Sequence, residues 1–201
     1  MAKLYFRYGS MNSGKSTILM QVAHNYEERG MHVAVLKPGI DTKAESRIQS
    51  RIGLEREVDH LIQKGENVYE LFKNNEEKPN AIIVDEAQFL ETEQVDQLME
   101  IVVKLNIPVI CYGLRTDFKT KGFPGSTRLL EIAHTLEEMK TICRCGAKAM
   151  FNLRMVNGEP VFEGEQVAID GENEVEYESL CGKCFLQKVL GITLETSDFT
   201  N

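Results

Sequence analysis

Residues Gly9 to Ser16 read Gly-Ser-Met-Asn-Ser-Gly-Lys-Ser, the spacing G-x-x-x-x-G-K-[ST]. No other stretch of the chain constrains its fold as tightly. In such a loop the backbone of Gly9, Ser10, Met11, Asn12, Ser13 and Gly14 curls so that N–H groups face phosphate oxygens. Lys15 adds a point charge and Ser16 a hydroxyl that reaches Mg²⁺. The mechanism requires a strand before the loop and a helix after it. Both are predicted: Leu4 to Tyr8 alternates toward a glycine, and Lys15 to about Arg29 carries Ile18, Leu19, Val22, Ala23 and Tyr26 at helical spacing. That context separates the motif from a chance glycine-rich turn and points to ATP with Mg²⁺.

The rest of the first 140 residues continues the pattern. His32 to Leu36 and Ala81 to Val84 read as buried strands, and Val109 to Tyr112 as another after Pro108. A short helix is predicted near Val68 to Lys73, and a longer one through Val95, Leu98, Met99, Val102 and Leu105. Gly39 to Gly53 has no sustained period and reads as a mobile loop. Strands alternating with helices imply an α/β fold, a doubly wound parallel sheet. After about Thr141 cysteines, glycines and short alternating segments take over. The chain therefore divides into a nucleotide-binding core over 1–140, an appendage over 141–192 and a polar tail over 193–201, with a hairpin turn at Asn157-Gly158.

Asp85 and Glu86 follow the apolar run AIIV, which sets both carboxylates at the carboxyl edge of the sheet beside the glycine-rich loop. Asp85 then serves the Mg²⁺ shell and Glu86 faces the attacking nucleophile as general base. The pair alone does not say whether that nucleophile is water or an alcohol.

Cys143-Arg-Cys145 and Cys181-Gly-Lys-Cys184 form two close pairs, the layout of a four-thiolate structural zinc site; a redox pair or incidental thiols is the alternative. Cys111, within a strand, reads as a small core residue, and the four histidines lack metal-ligand spacing. A formal charge of −8 opposes binding to nucleic acid through a broad basic face. No apolar run is long enough to span a membrane, and the first residues lack a secretory signal, so a cytoplasmic location is expected.

The loop GSMNSGKS, then DEAQF at 85–89, YGLRTDF at 112–118 and the two cysteine pairs together resemble the zinc-containing (type II) thymidine kinase family, in order and over nearly the whole chain. The resemblance implies a RecA-like core and a small zinc domain whose lasso loop closes over thymine. It also implies homotetramers inhibited by dTTP, and a reaction that moves the γ-phosphate of ATP to the 5′-hydroxyl of thymidine. By motif it makes Glu86 the base, places Gln88 near the nucleotide, and lines the thymine pocket with Met11, Phe89, Leu114, Phe118, Phe123 and Tyr177. An apolar base suits aromatic and thioether walls, although the same aromatics also suit an ordinary core. Asp170 stands where the family often has glycine. Lys43 stands where an arginine is usual, and with Asp41 it is read as a phosphate or Mg²⁺ helper in the mobile loop. Rival readings are a motor or helicase ATPase in which Glu86 activates water, a zinc module that only binds ATP, and a kinase for a different nucleoside.

Overall fold

The computed structural model describes residues 1–39, 46–164, 166 and 175–191. Two compact units emerge. The first comprises Met1–Tyr8, Gly14–Arg115 and Gly122–Met139; the second comprises Gly9–Ser13, Thr116–Lys121 and Lys140–Asn201.

The first unit runs β1 (Leu4–Gly9), α1 (Lys15–Glu27), β2 (Val33–Pro38), β3 (Arg47–Gln49), β4 (Glu55–Glu57), β5 (His60–Ile62), α2 (Glu70–Lys73) and β6 (Ala81–Val84). It continues through a 3₁₀ turn (Ala87–Phe89), α3 (Thr92–Glu100), a π-helical turn (Ile101–Leu105), β7 (Val109–Leu114), α4 (Pro124–Ile132) and β8 (Thr135–Glu138). A six-stranded sheet of order β5-β2-β6-β7-β1-β8 results. The pairs β1 with β8, β2 with β5 and with β6, and β6 with β7 are all parallel.

Side chains alternate across each strand, so the sheet builds two cores. Ala34, Leu36, Ile82, Val84 and Cys111 face one way with Val95 and Leu98 of α3 and Leu129 of α4. Val33, Val35, Ala81, Ile83 and Tyr112 face the other way with Leu19, Met20 and Ala23 of α1. All four residues of AIIV are buried because both faces are covered.

Two sequence expectations need correction. The face of α1 is turned from the expected one: Met20 is buried, while Ile18 is exposed. The stretch read as a loop over 39–53 contains β3, which pairs antiparallel with β4; its period was hidden because only Ile48 between them is buried and the flanking positions are polar or charged. Helix α3 buries Val95 and Leu98 as expected, and Gln94 with them, opens with a Glu91/Gln94 capping box, and offers Asp96 to Arg128 at 2.7 Å. Strand β5, helix α4 and strand β8 were not foreseen.

The second unit contains β9 (Thr141–Ile142), β10 (Lys148–Ala149), β11 (Phe151–Val156), β12 (Glu159–Val161), β13 (Val175–Leu180) and α5 (Gly182–Leu190). Strand β11 is the centre of an antiparallel sheet β12-β11-β13. The expected hairpin turn forms, with Asn157 at φ 50° and Gly158 at φ 82°, the two positive values that a type I′ turn requires. Ala149, Leu153, Leu180 and Phe185 make a small separate core, where Phe151 stacks on Phe185 at 5.1 Å. Among the described residues no helix is long and apolar enough to cross a membrane.

At the start of α4 the backbone passes close to the 3₁₀ turn. A Cβ at Gly125 would lie 2.5 Å from the carbonyl oxygen of Ala87 and 2.8 Å from that of Leu90. Backbone carbonyls cannot rotate aside, so Gly125→Ala should cost about 1–3 kcal/mol, read as a lower urea midpoint at unchanged slope. An unchanged midpoint would mean that the helix can move freely off the turn.

Candidate active site and metal centre

In the first unit the chemistry gathers at the carboxyl end of β6. Gly14, in the left-handed region at φ 76°, caps α1, and Ile18 donates its N–H to the Gly14 carbonyl at 3.0 Å. Lys15 and Ser16 thus open a helix, whose N-terminal end is suited to an anion. Asp85 is 4% exposed. Its burial pushes the carboxyl up to about 7, the Glu86 charge adds to this, and the Glu86 backbone N–H, Lys37 and Lys15 oppose it. Lys15 is pushed below its ordinary value by burial, against the pull of Glu86 and Asp85 and with repulsion from Arg51. A cation and two acids thus share one poorly hydrated corner, an arrangement that a charged ligand relieves.

Glu86 occupies the left-handed region at φ 50°, ψ 36° and begins the 3₁₀ turn. In the turn Ala87 and Gln88 are buried, whereas Glu86 is half-buried. Phe89, half-buried, meets buried Phe123 edge to face at 5.4 Å. Leu114, the last residue of β7, donates its N–H to Gln88 Oε1 at 3.1 Å.

The other named residues belong to the second unit. Met11 is held at both ends of its peptide: its N–H donates to Asn152 Oδ1 at 2.8 Å and its carbonyl accepts from Ser179 Oγ. Asn152 and Ser179 are directly paired across β11 and β13, and Asn152 Nδ2 also donates to the Thr116 carbonyl at 3.2 Å. Phe118 is buried beneath Arg154, whose guanidinium carbon sits 5.0 Å from the ring centroid. Asp117 accepts from the N–H groups of Lys119 and Lys121 and from Gln166 Nε2 at 3.0 Å. Tyr177 lies half-buried on β13 opposite Arg154. Asp41, Lys43 and Asp170 lie outside the described residues.

The four cysteines converge. Cys143 and Cys145 occupy the turn between β9 and β10, tightened by Gly146 at φ 88°. Cys181 caps α5 and Cys184 lies in its first turn. All four sulfurs lie within 4.8 Å of one another. Tetrahedral zinc with bonds of about 2.3 Å spaces its sulfurs about 3.8 Å apart, so the donor set fits that ion. A hydrogen bond from the Ala147 backbone draws the Cys145 thiol down to about 7, whereas burial, with the neighbouring thiols adding, pushes Cys184 up to about 12. One bound cation reconciles the four by displacing their protons.

Sequence reasoning missed Lys37, Arg51, Asn152 and Ser179. For Asn152 no local signal existed: it alternates with Phe151 and Leu153, which pack in the small core, and so reads as an ordinary polar residue on the other face of its strand. Arg51 was hidden with the hairpin that carries it.

A family model described as thymidine kinase matches residues 2–185. The chain belongs to the thymidine kinase family. The thymidine kinase of Listeria monocytogenes serotype 4b (strain F2365) is 50% identical over 92% of this chain and 96% of its own. That of Legionella pneumophila (strain Paris) is 50% identical over 85% and 84%, respectively. That of Enterobacteria phage T4 is 48% identical over 95% and 100%. Membership agrees with the parallel sheet, the glycine-rich loop and the cysteine cluster, and the motifs that carried the resemblance all lie within the matched span.

Two predictions follow from the geometry. A carboxyl whose folded value is raised favours folding below its ordinary 3.8 and loses that contribution as pH rises through about 7. Asp85→Asn should therefore raise the melting temperature of the ligand-free kinase at pH 8 by about 3 °C or more, and by less at pH 5. An equal or opposite change at the two pH values would contradict the burial argument. Elemental analysis should find one zinc per chain, reduced at least tenfold in Cys184→Ser; full zinc in that variant would place the ion elsewhere.

Proposed function

We propose that this chain is a thymidine kinase that transfers the γ-phosphate of ATP to the 5′-hydroxyl of thymidine, yielding dTMP and ADP for DNA synthesis. The observation that carries the reading is Glu86, at the end of β6 beside buried Asp85 and Lys15, in a chain half identical to thymidine kinases.

In the proposed mechanism the backbone N–H groups from Gly9 to Gly14 and the Lys15 ammonium hold the ATP phosphates. Ser16 and Asp85 would hold Mg²⁺, which supplies charge neutralisation on the β- and γ-phosphate oxygens. Glu86 orients the 5′-hydroxyl in line with the γ-phosphorus and takes its proton as the new O–P bond forms and the bond from the γ-phosphorus to the β,γ-bridging oxygen breaks, releasing ADP. Positioning and fixed charge do most of the work. By the family motif Met11, Phe89, Leu114, Phe118, Phe123 and Tyr177 are assigned to thymine, and the lasso segment before Tyr177, assigned to keeping water from ATP, lies outside the described residues over 167–174. Cys143, Cys145, Cys181 and Cys184 would hold a structural zinc that joins the β9–β10 turn to the start of α5.

On this reading residues 1–140 are the kinase core, 141–192 the zinc and lasso domain, and 193–201 a tail. The enzyme works in the cytoplasm as a homotetramer under dTTP feedback, without nucleic acid as a partner. The charge of −8 supports this last point over the motor ATPase reading.

The test measures ADP release and product formation with Mg²⁺-ATP against a panel of nucleosides, with single-stranded DNA as a parallel addition. Phosphorylation confined to thymidine and close analogues is expected, with kcat reduced about 10²-fold or more in Glu86→Gln. Hydrolysis that ignores nucleosides and rises with DNA would overturn the reading.

A further inference from the structure

Gln88 is wholly buried, at 0% exposure, and both polar atoms of its carboxamide are engaged. Oε1 accepts the Leu114 N–H at 3.1 Å, and Nε2 donates to Glu86 Oε2. The orientation of a side-chain amide is ordinarily ambiguous. Here the chemistry decides it. A backbone N–H only donates, so the amide oxygen must face Leu114; an ionised carboxylate only accepts, so the NH₂ must face Glu86. The flipped amide would set donor against donor and acceptor against acceptor.

The surroundings leave this amide no other position. A Cβ at Gly113 would lie 2.8 Å from Gln88 Oε1 and 3.1 Å from its backbone nitrogen, so the glycine is what admits the side chain against β7. Ser126 Oγ donates to the Leu114 carbonyl, fixing the strand end that in turn fixes Gln88. Gly125 brings α4 down onto the carbonyls of Ala87, Gln88 and Leu90. Glu86 itself holds a left-handed backbone, a conformation that costs a non-glycine residue about 1 kcal/mol or more and persists only where neighbours impose it. A continuous set of contacts thus runs from α4 through β7 and Gln88 to one oxygen of Glu86.

We propose that Gln88 is a positioning residue: it holds the Glu86 carboxylate so that its other oxygen faces the substrate hydroxyl, and it acts through Glu86 without touching ATP, metal or nucleoside. The proposal rests on the kinase reading of Glu86. Two variants separate its parts. Gln88→Met fills the space with neither acceptor nor donor; Gln88→Glu keeps the acceptor for Leu114 and replaces the amide donor with a second carboxyl that must either share a proton with Glu86 or repel it.

Both should lower kcat at least tenfold, with KM for thymidine and for ATP changed less than about threefold, the signature of an interaction that matters only in the transition state. The decisive arm is a double-mutant cycle. In a Glu86→Gln background, where no proton acceptor remains to be positioned, Gln88→Met should cost less than about twofold more, because residues acting as one unit are not additive. A general packing defect, or direct contact with ATP, would impose its full cost in that background as well. An active wild type with additive losses, or a KM rise at unchanged kcat, overturns the positioning role alone. A wild type that leaves every nucleoside unphosphorylated overturns the kinase reading and the proposal with it.

Discussion

The active end of the first unit depends on one turn. After four fully buried residues of β6 the chain must leave the sheet, and it does so by placing Glu86 in a backbone conformation that L-residues avoid. The turn is imposed from outside: β7 contributes a glycine and a backbone donor, and α4 contributes a glycine where any side chain would collide with carbonyl oxygens. The same packing that buries Ala87 and Gln88 holds Glu86 in that conformation. Local strain is thereby exchanged for a fixed direction, as expected at a site whose chemistry is mainly orientation.

Electrostatics add a second constraint. Asp85 stands beside Glu86 with little water, and Lys15 is desolvated in the same corner. Neither acid nor base is comfortable there, and the discomfort is greatest at neutral to alkaline pH, where the carboxyl ionises. A site of this kind gives up stability to be ready for a charged ligand. In the second unit the equivalent price is entropic. Its core is small, and four thiols converge on one point where a bound metal ion would supply a staple.

Legibility in the sequence tracked locality. The glycine-rich loop, AIIV followed by Asp-Glu, the Asn157-Gly158 turn and both cysteine pairs are short-range patterns; in the structure the loop runs from β1 to α1, AIIV is a buried strand, the turn forms and the cysteines converge. What escaped depends on distant partners. Residues of β3 and β4 are polar or charged outside Ile48, so their pairing leaves no apolar alternation to read. Gly113 and Gly125 look like unremarkable glycines until Gln88 and Ala87 are seen against them. Asn152 and Ser179 announce themselves only as polar interruptions of strands, although together they hold both ends of the Met11 peptide.

The central claim is that the γ-phosphoryl group goes to thymidine and not to water. Single-turnover mixing of the protein with γ-labelled ATP, Mg²⁺ and thymidine, followed by separation of products, measures that partition directly. The account predicts nearly all label in dTMP and very slow release of free phosphate when thymidine is left out. Label appearing as free phosphate at a rate indifferent to thymidine would contradict it.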